Sequence, residues 1–145
     1  MKKIVTSLFV LCCMNASAQK TSLALDHIAL YVTNLEKSTV FYQHTMGLDT
    51  IPEPFHDGRH TWFKLGSGAL HLIQGPDAAT THNRNNHLCF RVTDLDAFIK
   101  RLTAAGISYE NWLGEKGVRT RRPDGVEQIY FQDPDGRWLE VNNAR

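Results

Sequence analysis

Four side chains able to hold a metal recur at matched places in the two halves of this 145-residue chain. Asp26-His27-Ile28-Ala29-Leu30-Tyr31-Val32-Thr33-Asn34-Leu35 reappears sixty residues on as Asn86-His87-Leu88-Cys89-Phe90-Arg91-Val92-Thr93-Asp94-Leu95. Gly68-Ala69-Leu70-His71-Leu72-Ile73 lines up in the same way with Arg137-Trp138-Leu139-Glu140-Val141-Asn142. Each half thus offers one candidate ligand on its first strand and one on its last, and a duplicated fold closing on itself would bring His27, His71, His87 and Glu140 to one point. Taken singly, each histidine reads as a half-buried, satisfied side chain and Glu140 as a solvent-facing carboxylate. Their repeat-related placement makes the metal site the leading reading. Three imidazoles and one carboxylate suit one divalent Zn, Ni, Co, Mn or Fe per site, and suit Ca or Mg poorly. Such a shell keeps a net positive charge, where two His and two Glu would leave none, and is the stronger Lewis acid toward a developing enediolate. Proton abstraction beside a carbonyl needs a base within hydrogen-bond reach, and Glu140, loosened from the metal, is the candidate catalytic residue.

The elements that must position these groups repeat as well. Leu25 to Val32 alternates, with Ile28, Leu30 and Val32 on one face and His27, Ala29 and Tyr31 on the other. Asn34 can cap a helix from about Leu35 to Met46 that Gly47 ends. Thr61 to Leu65 and Ala69 to Ile73 then read as strands around Gly66-Ser67-Gly68. The second half follows the same order: a strand from His87 to Val92, a helix capped by Asp94 and closed by Gly106, and strands Val126 to Gln132 and Arg137 to Asn142 set off by Pro-Asp-Gly turns. Tyr109 to Arg119 reads as one strand and a loop. Successive strand residues point to opposite faces, so all four ligand candidates lie on the face away from the apolar, helix-covered side. Neighbours on that face, Tyr31, Ile73, Cys89, Arg91, Tyr130 and Trp138, should wall a substrate pocket. One of Trp62 and Phe63 must also face inward, and Trp62 is the pocket candidate. Arg91, if buried, would need an anionic partner such as a substrate carboxylate.

The start of the chain is set apart. Lys2-Lys3, the apolar run Ile4 to Met14 and Ala16-Ser17-Ala18 read as a secretory signal peptide over residues 1–18, with export to the periplasm or outside the cell. The apolar run is short of the roughly 20 residues a spanning helix needs, so no membrane association is expected after cleavage. Residues 19–145 make a single domain, with modules at about 22–75 and 85–145. Cys12 and Cys13 leave with the signal, and Cys89 remains alone. A formal charge of +1 gives no electrostatic case for nucleic acid. Arg119, Arg121 and Arg122 read as a solvated basic turn, and His44, His56, His60 and His82 have no counterpart in the other half. His56 and His60 flank the Asp57-Gly58 turn, read as a solvated turn with a substrate-facing role as the alternative.

Leu25-Asp26-His27-Ile28, Phe41-Tyr42 ahead of Met46-Gly47-Leu48, His87 on its strand, and Tyr130-Phe131-Gln132-Asp133-Pro134-Asp135-Gly136-Arg137-Trp138-Leu139-Glu140 resemble the vicinal oxygen chelate superfamily of glyoxalases, bleomycin-resistance proteins and extradiol dioxygenases. The resemblance spans about Leu25 to Val141. It implies an α+β fold of two paired βαβββ modules forming a cupped mixed sheet with helices on the outer face and a divalent metal at its centre. It also implies a homodimer whose sites are shared, His27 and His71 of one chain meeting His87 and Glu140 of the other. By position His27, His87 and Glu140 match family ligands, whereas His71 stands where glyoxalase I usually has Glu. The expected activity is a glyoxalase-like lyase or isomerase acting on a small α-oxygenated carbonyl compound. The alternatives are an Fe(II) extradiol-type dioxygenase, with His71 as an acid or base, and a non-enzymatic small-molecule binder.

Overall fold

The computed structural model describes residues 22–76 and 81–145, so the expected signal peptide lies outside the described residues. The chain order is β1 (His27–Val32), α1 (Leu35–Val40) continued by a π-helical turn (Phe41–Thr45), β2 (Thr50–Ile51), β3 (His60–Leu65), β4 (Gly68–Gln74), β5 (Leu88–Arg91), α2 (Leu95–Ala104), β6 (Thr120–Arg121), β7 (Glu127–Gln132) and β8 (Trp138–Asn142). It is βαβββ written twice. Each module makes its own four-stranded mixed sheet, ordered β1-β4-β3-β2 and β5-β8-β7-β6, and the two do not close into a barrel.

Local chemistry explains the helices. Asn34 Oδ1 accepts from the Lys37 amide at 2.9 Å and Asp94 Oδ1 from the Ala97 amide at 2.8 Å, so each helix opens on a side-chain cap. Gly106, with φ of +70°, supplies the left-handed residue that stops α2. The expected single helix to Met46 instead widens at Phe41, whose carbonyl accepts from the Met46 amide at 3.1 Å. A π turn rotates the helix phase, and here it puts the consecutive residues Phe41 and Tyr42 both into the core, edge to face at 5.1 Å. In place of the strand expected within Tyr109 to Arg119, Glu110 forms only isolated bridges to Tyr130 and Lys116. Asn111 folds the following loop on itself by accepting from the Leu113 and Glu115 amides, both at 2.9 Å.

The apolar faces of both sheets share one core. Leu30, Phe63, Leu70 and Leu72 of the first sheet join Ile129, Phe131, Leu139 and Val141 of the second, with Tyr42, Phe98 and Leu102 of the helices between them. The ligand faces therefore look away from the centre of the chain. A polar bolt fixes the modules to each other. Asp135, in the turn before β8, accepts from the Thr33 amide, the Thr33 hydroxyl and the Ser38 hydroxyl, each at 2.8 Å. Its neighbour Asp133 accepts from the Tyr42 phenol at 2.8 Å and from Arg137 at 3.0 Å.

Candidate functional site

Strand register sets the first candidate ligand pair. On β4, His71 stands opposite Trp62 of β3 and Ala29 of β1, which places His27, Ala29, His60, Trp62 and His71 on one face. His27 and His71 have ring centroids 5.9 Å apart. His71 is only 5 % exposed, lies under Trp62 in a stack with centroids 4.0 Å apart, and its buried Nε2 has no hydrogen-bond partner among the described residues. Burial first, then the neighbouring imidazoles His60 and His27, pull its pKa below the ordinary histidine value, so it presents the neutral form a metal requires. Of the two aromatic candidates on β3, Trp62 faces the site and Phe63 is fully buried in the core.

The second pair closes more tightly. His87, just before β5, bonds through Nδ1 to the Arg84 carbonyl at 2.7 Å, and its Nε2 lies 3.3 Å from Glu140 Oε2. Two ligands of one first-row ion at about 2.1 Å are separated by roughly 3 Å, so this spacing fits an edge of a coordination shell. Glu140 is loaded with donors: the Tyr130 phenol on Oε2 at 2.7 Å, and Asn142 Nδ2 at 3.0 Å and the Cys89 thiol at 3.1 Å on Oε1. Burial opposes its ionisation, but these bonds and His87 outweigh that and hold its pKa below the usual carboxylate value. Burial, then Glu140, pushes the Tyr130 phenol well up and the Cys89 thiol to about 12.

Within one chain the two pairs stay apart: among the described residues no three His, Cys, Asp or Glu side chains close around a common point. Each pair sits on or beside the unpaired edge strand of its own sheet, β1 or β5. The pocket candidates divide. Tyr31 lies on the ligand face beside Gly75, and Tyr130 is bonded to Glu140. Trp138 packs against Arg84, whose guanidinium carbon is 5.4 Å from the ring centroid. Arg91 is different. It is exposed at the end of β5, so the argument that a buried cation there needs a substrate carboxylate does not apply.

Several residues facing the site escaped the sequence reading. Arg84 is ringed by Trp112, Tyr130 and Trp138 at 5.4 to 5.8 Å and paired with Glu110, bringing the 81–87 and 110–112 loops over the second ligand pair. Only the aromatic content of those loops hinted at this. His60 read first as a solvated turn residue, with a substrate-facing role as the alternative; it shares the parity of Trp62 on β3 and sits 5.0 Å, ring to ring, from His71. Both His27 and His60 have Nδ1 held by a carboxylate, Asp26 and Asp57 respectively, at 2.7 Å.

The pattern of the Glyoxalase/Bleomycin resistance protein/Dioxygenase superfamily matches residues 24–141, nearly all of the described chain. The chain belongs to that superfamily. Among curated superfamily relatives, "Uncharacterized protein YwkD" of Bacillus subtilis (strain 168) is 31% identical over 81% of this chain and 94% of its own. "Metallothiol transferase FosB" of Shouchella clausii (strain KSM-K16) is 33% identical over 83% and 80%, and "Glyoxylase I 4" of Arabidopsis thaliana is 27% identical over 83% and 71%. Among solved superfamily structures, lactoylglutathione lyase from Agrobacterium tumefaciens superposes with a TM-score of 0.65 at 25% identity, covering 86% of this chain and 96% of that one. The fosfomycin resistance protein FosX of Listeria monocytogenes gives 0.70 at 23% identity over the same shares, a likeness of fold alone.

Proposed function

We propose that this superfamily member is an exported, metal-dependent lyase or isomerase that acts on a small α-oxygenated carbonyl compound through an enediolate. Relatives named as glyoxalases, lactoylglutathione lyases and metallothiol transferases support a metal-dependent, glyoxalase-like role. The observation that carries it here is the readiness of the four ligand candidates. His27 and His87 have Nδ1 occupied by Asp26 and by the Arg84 carbonyl, which leaves Nε2 to coordinate. The buried Nε2 of His71 has no other partner, and Glu140 is held ionised beside His87. The donor set fits one divalent first-row transition ion.

His27 and His71 of one subunit would hold the ion together with His87 and Glu140 of the partner subunit. An ion held there supplies Lewis acidity to a substrate oxygen. The protein's own part is orientation. Asn142, Cys89 and Tyr130 fix the carboxylate of Glu140, and Trp62 clamps the ring of His71. Glu140 fits the ligand role better than the base role expected from sequence, because three donors already occupy its two oxygens and stabilise the ionised form. The charged start, apolar run and Ala16-Ser17-Ala18 support the export part of this reading.

The test is elemental analysis of anaerobically purified mature protein beside its His71→Ala variant. Stoichiometric Zn, Ni, Co or Mn that falls at least tenfold in the variant is the expected result. Iron retained without His71 points instead to the ring-cleaving oxygenase, and no metal in either protein leaves a binding module.

A further inference from the structure

The proposed reaction needs a group that touches the substrate and is not already committed, and Glu140 is committed three times over. The described residues offer one imidazole that answers this. His60 opens β3 on the ligand face, beside His71 and with only 15% of its side chain exposed. Its Nδ1 is bonded to Asp57 Oδ1 at 2.7 Å. The Arg59 amide, donating to the same oxygen at 2.9 Å, leads the interactions that keep Asp57 ionised. In the neutral ring, an ionised partner on Nδ1 fixes the tautomer with the proton there and leaves a lone pair on Nε2. Among the described residues that nitrogen has no hydrogen-bond partner.

The loop before His60 is built to hold this arrangement. Glu53 accepts from the Phe55 amide and, at 2.5 Å, from the His56 amide, and His56 adopts a left-handed φ of +53°. A non-glycine residue takes that conformation where its surroundings impose it. The consequence is that Phe55, although 58 % exposed, lies over the imidazoles of His60 and His71 at 4.8 and 6.1 Å. The loop thus places an apolar ring over His60 and His71 and a carboxylate on His60 Nδ1, with the His60 ring beside the buried His71.

We propose that His60, oriented by Asp57, accepts a hydrogen bond from an O–H or N–H group adjacent to the chelating oxygens of the substrate, so that the site selects chelating carbonyl compounds that carry such a donor over chelators that carry only acceptors. This rests on the metal-dependent reading above. A lone pair at that place rewards a donor on the ligand. His60 is then a substrate-contacting residue and not a fifth metal ligand.

The experiment uses the full mature protein loaded with Co²⁺ at pH 8, whose visible spectrum reports both metal uptake and ligand binding. Acetohydroxamate, a chelator with an N–H donor, is compared with oxalate, which has none. Substituting His60→Phe keeps the ring packing and removes Nε2. It should weaken acetohydroxamate tenfold or more while changing Co²⁺ and oxalate affinity by less than threefold. Asp57→Ala should give a smaller loss of the same kind, and His60→Gln should restore part of it. Unchanged acetohydroxamate binding in His60→Phe overturns the proposal, as does loss of Co²⁺ there, which would make His60 a ligand. Recovery in His60→Phe but not in His60→Gln means that stacking is the role, and also overturns it. Wild-type protein that takes up no Co²⁺, or takes it up and binds neither chelator, is a failure of the functional reading itself.

Discussion

At the scale of single residues, the second ligand pair shows how one carboxylate sets the chemistry around it. Glu140 stays ionised in a buried place only because Tyr130, Asn142 and Cys89 all donate to it, and the same contacts hold two of those donors protonated. Cys89 makes the effect measurable. With its thiol pushed up to about 12, at pH 8 only about one molecule in ten thousand carries the reactive thiolate. The expected outcome is that Ellman's reagent modifies native Cys89 at least a hundredfold more slowly than a free thiol, although the residue is exposed. The rate should rise as pH climbs toward that raised value. Glu140→Gln removes the negative charge that opposes thiolate formation and should speed the reaction at fixed pH, whereas unchanged kinetics would mean that Glu140 does not control the thiol. The positions of His27, His71, His87 and Glu140 on one face of their strands were legible from parity, because alternation is a property of the backbone. The donors on Glu140 were not. Asn142 and Cys89 reach it along and across strands whose register no local pattern announces.

At the scale of elements, the turn Asp133-Pro134-Asp135-Gly136 does more than reverse the chain. Asp135 reaches across to the start of the first module's helix, and Asp133 to Tyr42 within it, so the signature turn of the second module is a fastening for the first. Replacing Asp135 by Ala leaves the Ser38 hydroxyl and the Thr33 amide and hydroxyl without their shared acceptor. The expected cost is about 3 kcal/mol, since bonds to a charged acceptor carry more than neutral ones and buried groups are orphaned. Tyr42→Phe removes a single bond, leaves Asp133 its Arg137 and backbone partners, and should cost about 1 kcal/mol. Urea unfolding of both variants checks the order, and an Asp135→Ala protein as stable as wild type would remove the fastening role. The order of one strand, one helix and a run of strands was readable twice from capping residues, glycines and alternation, whereas the full βαβββ count was implied only by the resemblance. The π turn was not, because Phe41 and Tyr42 fit a helix pattern equally well until a core exists for both to enter. Two-residue β2, hemmed by Pro52 and Pro54, was too short to leave a periodic trace.

At the scale of the whole molecule, one chain leaves its two candidate ligand pairs apart. The pairs lie on faces turned away from a shared core, each on or beside an edge strand of its described sheet. Between the modules an apolar groove of about 490 Å³ is lined by Ile28, Leu48, Leu65, Leu88 and Phe90 among others. Unpaired edges and apolar lining are surfaces that a second copy can cover, and a two-fold axis would present the His27 and His71 pair of each subunit to the His87 and Glu140 pair of the other. The prediction is a dimer in solution with two equivalent shared sites. It is tested by mixing His27→Ala and Glu140→Ala chains after partial unfolding and refolding together. Each homodimer lacks a ligand in both sites, so neither should hold metal stoichiometrically. A heterodimer gathers both lesions into one site and leaves the other whole, so an equimolar mixture should regain about a quarter of the wild-type metal content. If each chain built its own site, every site in the mixture would still lack one ligand and nothing would return. Recovery at that level, together with a sedimentation mass of twice the chain, would tie the duplicated sequence pattern to a site that two copies must complete.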